Sequence, residues 1–534
     1  MTDAAAAPTA ASLRKDRGDD RPFSRVLIAN RGEIAVRIAR ACRDLGMEVV
    51  AVYSEADAGA PHVRAADRAV LLGPAPAAES YLRIDVIVEA ALATGAEAIH
   101  PGYGFLAERA AFARAVEEAG LVFVGPTSEA IAALGDKLAA RRLAVAAGVP
   151  VVPGTLEPAP VDRPDQVEAI LAEADAIGFP LLVKAAAGGG GRGMRRVERR
   201  DELPSALAAA AAEARSAFGD GAVYLEREVR PARHIEVQLI GDSQGTIVAL
   251  GERDCSIQRR HQKLVEESPA PGLAPDERRR LHALAVSAAA AARLTNAATA
   301  EFLLDPDGEF RFLEVNTRLQ VEHGVTELVA DVDLVAEQFR IAAGRPLSPR
   351  IVEAASRAAD PERHAIEVRL SAEDPARGFA ATPGRIGTWT MPSGPGVRVD
   401  SGVEAGSRVP PDYDPLVAKI LVVAEDRPAA IARLRRALDE TQVSGIQTTL
   451  PFLAHVAASP AFEPGSLSTD WVTEHWDGEA ARAAAFGRAA QAAAAAIARA
   501  AAEAADSGPR PPLTSPASSW AAAGRDDATD RWPR

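Results

Sequence analysis

Only two cysteines occur in this chain, Cys42 and Cys255, in unrelated contexts and without paired spacing. That excludes a disulfide framework and a thiolate metal cage, and it fits a reducing compartment. Long apolar runs are missing as well. Alanine stretches such as AVSAAAAA, residues 285–292, are too short and too weakly apolar to span a bilayer. The N-terminus, MTDAAAAPTAASLRKDRGDD, carries an acid near its start and no sustained apolar segment. Residues 1–20 therefore read as a disordered leader and not as a signal peptide, and a cytoplasmic location without membrane contact is expected. Net positive charge is lacking: the formal charge is -14, which argues against nucleic-acid binding but allows a local basic pocket. Aromatics are scarce, at 4%, and alanine is abundant, which favours helices and small-residue packing.

What remains is an ordinary soluble composition, 48% hydrophobic and 25% charged, in a chain of 534 residues, long enough for several packed domains. RVLIANRGEIAVRIARACRDLGMEVVAVYS, residues 25–54, reads as strand, helix, strand, with Ile34, Ile38 and Cys42 near one helix face. AEAIHPGYGFLAE (96–108) and LVFVGPTSEAI (121–131) repeat the strand-to-loop theme. Residues 21–135 thus read as a parallel α/β domain. A linker is expected over 136–155 and a small lid over 156–229. An α+β region with much antiparallel sheet should follow over 230–466, an alanine-rich helical extension over 467–506, and a disordered tail over 507–534.

Three stretches carry possible chemistry. AAAGGGGRGM (185–194) follows Lys184. Consecutive glycines can aim backbone N–H groups at a phosphate, and a lysine can add a point charge. No GK[ST] follows, so this is not the usual P-loop, and a ligand-free surface hairpin fits the glycines equally. The turn at Asn30–Glu33 likewise lacks GxGxxG, so no nicotinamide or flavin is expected. RDCSIQRRHQKLVEESPAP (253–271) concentrates Arg253, Arg259, Arg260, His261 and Lys263, which reads as an anion site or as a solvated charge run. In FRFLEVNTRLQVEHGVTE (310–327), steps of two collect Glu314, Asn316, Arg318, Gln320 and Glu322 on one face of an extended chain. Asp305-Pro306-Asp307-Gly308 is a hairpin signal that would set Glu301 beside Glu314, as an oxygen-ligand site for Mg²⁺ (or Mn²⁺) requires. Divalent metal, phosphate loop and lysines together point to a nucleoside triphosphate. An arginine fork with a carboxylate beside it can hold a planar oxyanion and take a proton.

RVLIANRGEIAVRIARACRDLG, HPGYGFLAE, KAAAGGGGRGM, RRHQKLVEESP and EVNTRLQVEHGVTE resemble the biotin carboxylase family of ATP-grasp enzymes, in family order across residues 25 to about 475. The resemblance implies an α/β and α+β multidomain ATP-grasp fold: a Rossmann-like N-terminal domain, a glycine-rich lid and a mostly antiparallel C-terminal domain. It implies ATP binding by Lys137, Lys184, Gly189, Gly190, Gly191, Glu226, Arg227, Glu228, Val229, His234, Gln258 and His261. Glu301, Glu314 and Asn316 match metal-site residues. Lys263, Arg318, Gln320, Val321 and Glu322 match the bicarbonate site, with Glu322 as general base. Arg369 matches the arginine that faces the biotin ureido oxygen.

The implied ligase reaction turns ATP, bicarbonate and a biotinyl group into ADP, phosphate and carboxybiotin by way of carboxyphosphate. The four methionines are followed by Thr2, Glu48, Arg195 and Pro392, so the Met-Lys pair of a biotin carrier is missing. Biotin is therefore expected on a separate carrier protein, with a separate carboxyltransferase. That makes this chain the biotin carboxylase subunit of an acyl-CoA (acetyl, propionyl or related) carboxylase of fatty acid metabolism. The family also implies a homodimer. Other ATP-grasp ligases share the metal and phosphate residues but give little reason for RRHQK and TRLQVEH together. A dead regulatory subunit would have lost Glu322 or Glu301. One departure stands out: the family's proline after VEH is Gly324 here. Glycine frees the backbone that proline restrains, so Gly324 is expected to loosen Glu322 or shift the local turn, and Gly324→Pro to match or raise turnover.

Overall fold

Short branched apolar runs buried on both faces build the centre of the N-terminal sheet, as a parallel sheet covered by helices requires. Its elements are β1 (Arg25–Ile28), α1 (Gly32–Asp44), β2 (Glu48–Ser54), β3 (Arg68–Gly73), β4 (Ala98–His100) and β5 (Val122–Phe123). The strand order is β3-β2-β1-β4-β5, and every pairing is parallel. The computed structural model describes residues 21–159, 167–186 and 194–506. The expected leader, the tail and Gly189, Gly190 and Gly191 lie outside the described residues. The chain enters α1 at Gly32 with φ of +67°, a left-handed value glycine adopts without strain. Asn30 Nδ2 then donates to the carbonyls of Pro101 (2.7 Å) and Tyr103 (2.8 Å), tying the HPGYG loop to this turn.

Burial holds two histidines of this domain neutral, His62 down to about 4 and His100 to about 3. The unfolded chain takes up their protons first below the ordinary histidine value, so their contribution is complete above about pH 6.5 and drains away as pH falls toward 3–4. His100 Nδ1 accepts the Gly102 N–H at 3.0 Å, a bond an asparagine oxygen can replace. His100→Asn should therefore flatten the fall of unfolding free energy between pH 6.5 and 4, read by urea titration at several pH values. An unchanged slope would show that His100 is protonated in the fold.

The 136–155 linker expectation needs correction. α2 (Lys137–Ala146) occupies it, capped by Asp136 accepting from Ala139 N at 2.8 Å. Ala140, Ala144 and Val149 join one core with Phe310 and Phe312, so the segment is packed structure. Next, β6 (Leu181–Ala185), β7 (Arg195–Val197) and β8 (Val223–Arg227) form a small antiparallel sheet in the order β7-β6-β8, with its own apolar core.

The large sheet contains β9 (Arg233–Gly241), β10 (Ile247–Arg259), β11 (Gln262–Ser268), β12 (Asn296–Leu304) and β13 (Phe310–Asn316). After α3 (His323–Ala330) it continues with β14 (His364–Ser371), β15 (Val397–Ser401) and β16 (Leu416–Ala424), and α4 (Arg427–Glu440) follows. All eight strands are antiparallel, in the order β13-β12-β9-β10-β11-β14-β16-β15. The pleat sorts their side chains. Ile366, Val368, Ile420 and Val422 face a core shared with Leu434 of α4. The intervening Glu367, Arg369 and Lys419 are left for the other face. No helix among the described residues is long and apolar enough to cross a membrane. From Asp477 onward the chain is a separate unit, a single helix α5 (Gly478–Asp506) within its described part.

Candidate active site

The D-P-D-G turn sets the register that places the first two acids. Gly308 takes φ of +81°, Asp305 Oδ1 accepts from the backbone of Asp307 (3.0 Å) and Glu309 (2.9 Å), and Glu301 stands opposite Glu314. On its other side Glu301 is paired with Glu236 of β9, and Glu236 with Arg253 of β10. Three carboxylates and a guanidinium thus lie in one row across four strands. Adjacent like charges repel, so the row needs cations. Lys263 Nζ supplies one, bonding Glu236 and lying 3.0 Å from Glu301 and 2.7 Å from Glu322. Arg253 is fully buried and donates to Glu236 (2.6 Å), Gln238 (2.8 Å), Thr326 (2.9 Å) and Thr299 (3.1 Å). His234 Nε2 lies 3.2 Å from Glu301. Burial alone would push Glu301 up, but Lys263 and His234 hold it down at about 2. Burial opposes charge on His234, yet Glu301 raises it to about 9.

The extended face expected from Glu314 to Glu322 holds only as far as Asn316, where β13 ends. Thr317–Gln320 is irregular, Val321 and Glu322 form a turn, and Glu322 precedes α3 as its N-cap. The intervening Thr317 and Leu319 are buried too, so this is no two-faced strand. The polar side chains still converge, through hydrogen bonds. Glu301 accepts from Asn316 Nδ2 (2.9 Å) and Gln320 Nε2 (3.1 Å). Arg318 donates to Gln320 (2.6 Å) and Asn316 (3.2 Å), and its Nε lies 2.9 Å from Glu108 of the N-terminal domain. Glu322, fully buried, accepts from Lys263 on one oxygen and from Arg369 (2.9 Å) on the other. Arg369 also donates to Glu266 at 2.5 Å. Lys263, Arg318, Val321 and Arg369 line one cavity of about 310 Å³, with the Asn30–Glu33 turn and Tyr103 across it.

The residues expected around the nucleotide are more dispersed. Lys137 Nζ is 3.4 Å from Glu314, which raises the lysine's affinity for its proton. The buried carboxylate of Glu226 is engaged by Arg141 (2.8 Å) and by Lys184. Arg227 N and Glu228 N already donate to the carbonyls of Pro153 (2.8 Å) and Pro180 (3.1 Å), and Val229 follows β8. Gln258 pairs with Lys263 across β10 and β11. His261 sits with Arg260 in the two-residue turn of that hairpin, at φ of +65° and +49°. The basic stretch is not one anion site, because β10 shifts register between Asp254 and Gln258 and its members separate. Arg253 and Lys263 enter the acidic row, while Arg259 bonds the Gly378 carbonyl and stacks 4.9 Å over Phe379.

Glu236, Glu266, Glu108, Arg141 and Lys419 went unread in the sequence. Glu236 in HIEVQLIGD has a signal that would have found it, a charged residue at a period-2 position inside an apolar run. Glu108 and Arg141 carry none, since their partners are remote in sequence.

Residues 22–131 match the family described as Biotin carboxylase, N-terminal domain. Residues 136–350 match Carbamoyl-phosphate synthase L chain, ATP binding domain, and residues 367–474 match Biotin carboxylase C-terminal domain. The chain is 48% identical to a pyruvate carboxylase subunit of Methanothermobacter thermautotrophicus, over 85% of this chain and 90% of the relative. It is 47% identical to a biotin carboxylase of Nostoc, over 85% and 99%. The alpha3 subunit of a biotin-dependent acyl-coenzyme A carboxylase of Mycobacterium leprae is also 47% identical, over 85% and 75%. Among solved structures, the Campylobacter jejuni biotin carboxylase–β,γ-ATP complex superimposes with a TM-score of 0.81 at 43% identity, covering 85% of this chain and 99% of that one. The biotin carboxylase domain dimer of Hydrogenobacter thermophilus 2-oxoglutarate carboxylase, with MgADP and bicarbonate, gives 0.80 at 43%, covering 85% and 98%. With the acidic row, its lysine and the Glu322–Arg369 pair in place, the chain belongs to the biotin carboxylase family and is an ATP-grasp ligase.

Proposed function

We propose that this chain carboxylates the biotinyl group of a separate carrier protein, at the expense of ATP and bicarbonate, as the biotin carboxylase subunit of an acyl-CoA carboxylase. The observation that carries the reading is Glu322, buried between Lys263 and Arg369, both of which line the cavity. Glu322 takes the bicarbonate proton, and Lys263 and Arg318 hold the resulting oxyanion for attack on the γ-phosphoryl group. Arg369, on the same carboxylate, is placed to stabilise the ureido oxygen of biotin once N1 is deprotonated. Lys137 and Lys184 serve the nucleotide phosphates, with Gln258, His234, His261 and the Glu226–Val229 hinge around the nucleotide. The sheet β7-β6-β8 acts as a lid that keeps water from carboxyphosphate.

Glu301 and Glu314 offer only oxygens from opposed positions of one hairpin, and Glu314 keeps a third of its side chain open to solvent, which suits a hard divalent cation. Asn316 Oδ1 is taken by Arg318, so the two carboxylates would be the principal ligands. Magnesium bound there supplies charge neutralisation on the transferred phosphoryl group.

The relatives of comparable identity include keto-acid as well as acyl-CoA carboxylases. The acceptor is read by a carboxyltransferase partner, and acyl-CoA is our proposal for it. A cytoplasmic homodimer, like the dimeric Hydrogenobacter domain, completes the reading. Purified protein with ATP, Mg²⁺, bicarbonate and free biotin should release ADP at a rate that rises with biotin. Turnover that instead required an amine or an amino acid would refute the assignment.

A further inference from the structure

Arg369 and Lys419 are cross-strand partners on β14 and β16, and Asp400 of β15 completes their row. The first two hold consecutive residues of the same turn. Arg369 bonds the Glu322 carboxylate, and Lys419 Nζ donates to the Val321 carbonyl at 2.5 Å. Lys419 is fully buried, and three carboxylates surround its ammonium: Glu33 of α1 at 3.8 Å, Asp400 at 3.9 Å and Glu367 of β14 at 4.0 Å. Arg398 satisfies Asp400 (2.8 Å). Both oxygens of Glu33 and both of Glu367 are buried without a hydrogen-bond partner. A lysine kept only to balance charge would close on an ionised acid such as Asp400, because an ammonium–carboxylate bond joins two opposite charges and a carbonyl offers the ammonium only a dipole. This one stands off from all three and bonds a peptide oxygen.

That oxygen belongs to the peptide joining Val321 to Glu322. Val321 lines the cavity, and Glu322 sits at φ of -83° and ψ of 13°, where the turn passes into α3. Rotating the peptide would turn both residues. We propose that Lys419 is a positioning residue for bicarbonate activation: its ammonium clamps the Val321 carbonyl, and so fixes the peptide that aims Glu322, while Glu33, Glu367 and Asp400 surround it without competing for the bond. The proposal rests on the reading of Glu322 as the base.

Two variants separate positioning from charge balance, Lys419→Met and the charge-compensated Lys419→Met/Asp400→Asn, since burial pushes Glu367 up while Arg398 and Lys419 hold Asp400 down. The double variant should fold with a thermal midpoint near the parent's and keep the ATP KM within about twofold. Its kcat/KM for bicarbonate should fall by about 10- to 100-fold, the scale of a misplacement near 1 Å. Recovery of parental kcat/KM for bicarbonate in the double variant would overturn the proposal and leave Lys419 as charge balance only. So would an equal loss in the ATP KM. A compensated variant that fails to fold would overturn it as well, because the ammonium would then belong to the fold itself. If the parent showed no ADP release dependent on bicarbonate and biotin, the assignment of Glu322 would fall, and this proposal with it.

Discussion

Replacing Glu322 by glutamine should lower biotin-dependent ADP release by about 10²- to 10⁴-fold, the contribution of a positioned general base, with ATP affinity retained. Its two oxygens are used separately, one accepting from Lys263 (2.7 Å) and one from Arg369 (2.9 Å). Glutamine keeps one acceptor and turns an amide N–H₂ toward the other cation. Neither cation is stranded, since Lys263 retains Glu236 and Glu301 and Arg369 retains Glu266. The fold should therefore survive, and the loss should fall on kcat and on kcat/KM for bicarbonate. Steady-state kinetics with each substrate varied, alongside thermal unfolding, decides the point. If the variant kept more than about a tenth of parental turnover, far above what loss of a general base leaves, another group would be the base.

Gly324→Pro, expected from the sequence to match or raise turnover, should instead destabilise the protein and slow it. Gly324 lies in the first turn of α3, where the helix itself tolerates proline. The obstacle comes from the sheet. A Cβ at 324 would run into Leu421 Cδ2 and stand 3.2 Å from Glu367 Oε2. Leu421 is fully buried with Val325 and Ala365, so it has little room to yield. Overpacking of this kind costs about 1–3 kcal/mol. Because β16 also carries Lys419, a displaced Leu421 should disturb the Val321 clamp. Leu421→Ala, added to Gly324→Pro, should return part of the stability by removing the colliding atom. Thermal midpoints of the parent, single and double variants test this. A single variant as stable and active as the parent would show that the strand gives way freely. Gly324 lets Leu421 of the sheet approach α3 closely.

The legible parts of the site were those set by local chemistry. Asp305–Gly308 declares a tight hairpin, a tight hairpin determines its register, and the register alone puts Glu301 opposite Glu314. The parallel N-terminal sheet was legible for a similar reason, since its apolar runs, buried on both faces, alternate with helices of 3.6 periodicity. The polar composition of residues 314–322 suggested a site, yet its conformation was misread. Period-2 alternation in sequence does not require a strand when a helix starts at His323 and hydrogen bonds gather the side chains instead. The basic stretch failed in the opposite way. Neighbours in sequence look like one patch, but the register shift within β10 leaves Arg253 inward and Arg259 on the Gly378 loop.

Long motifs in family order were enough to determine the family, the substrates it handles and the residue types at its centre. Only the tertiary structure decided how those residues are held. Glu236, Lys419, Glu367 and Glu108 act through partners brought together by the order of the strands and by the contact between the N-terminal and C-terminal parts of the fold. No spacing along the chain encodes that order. It emerges when eight strands bury one face together and leave their charged residues to pair on the other.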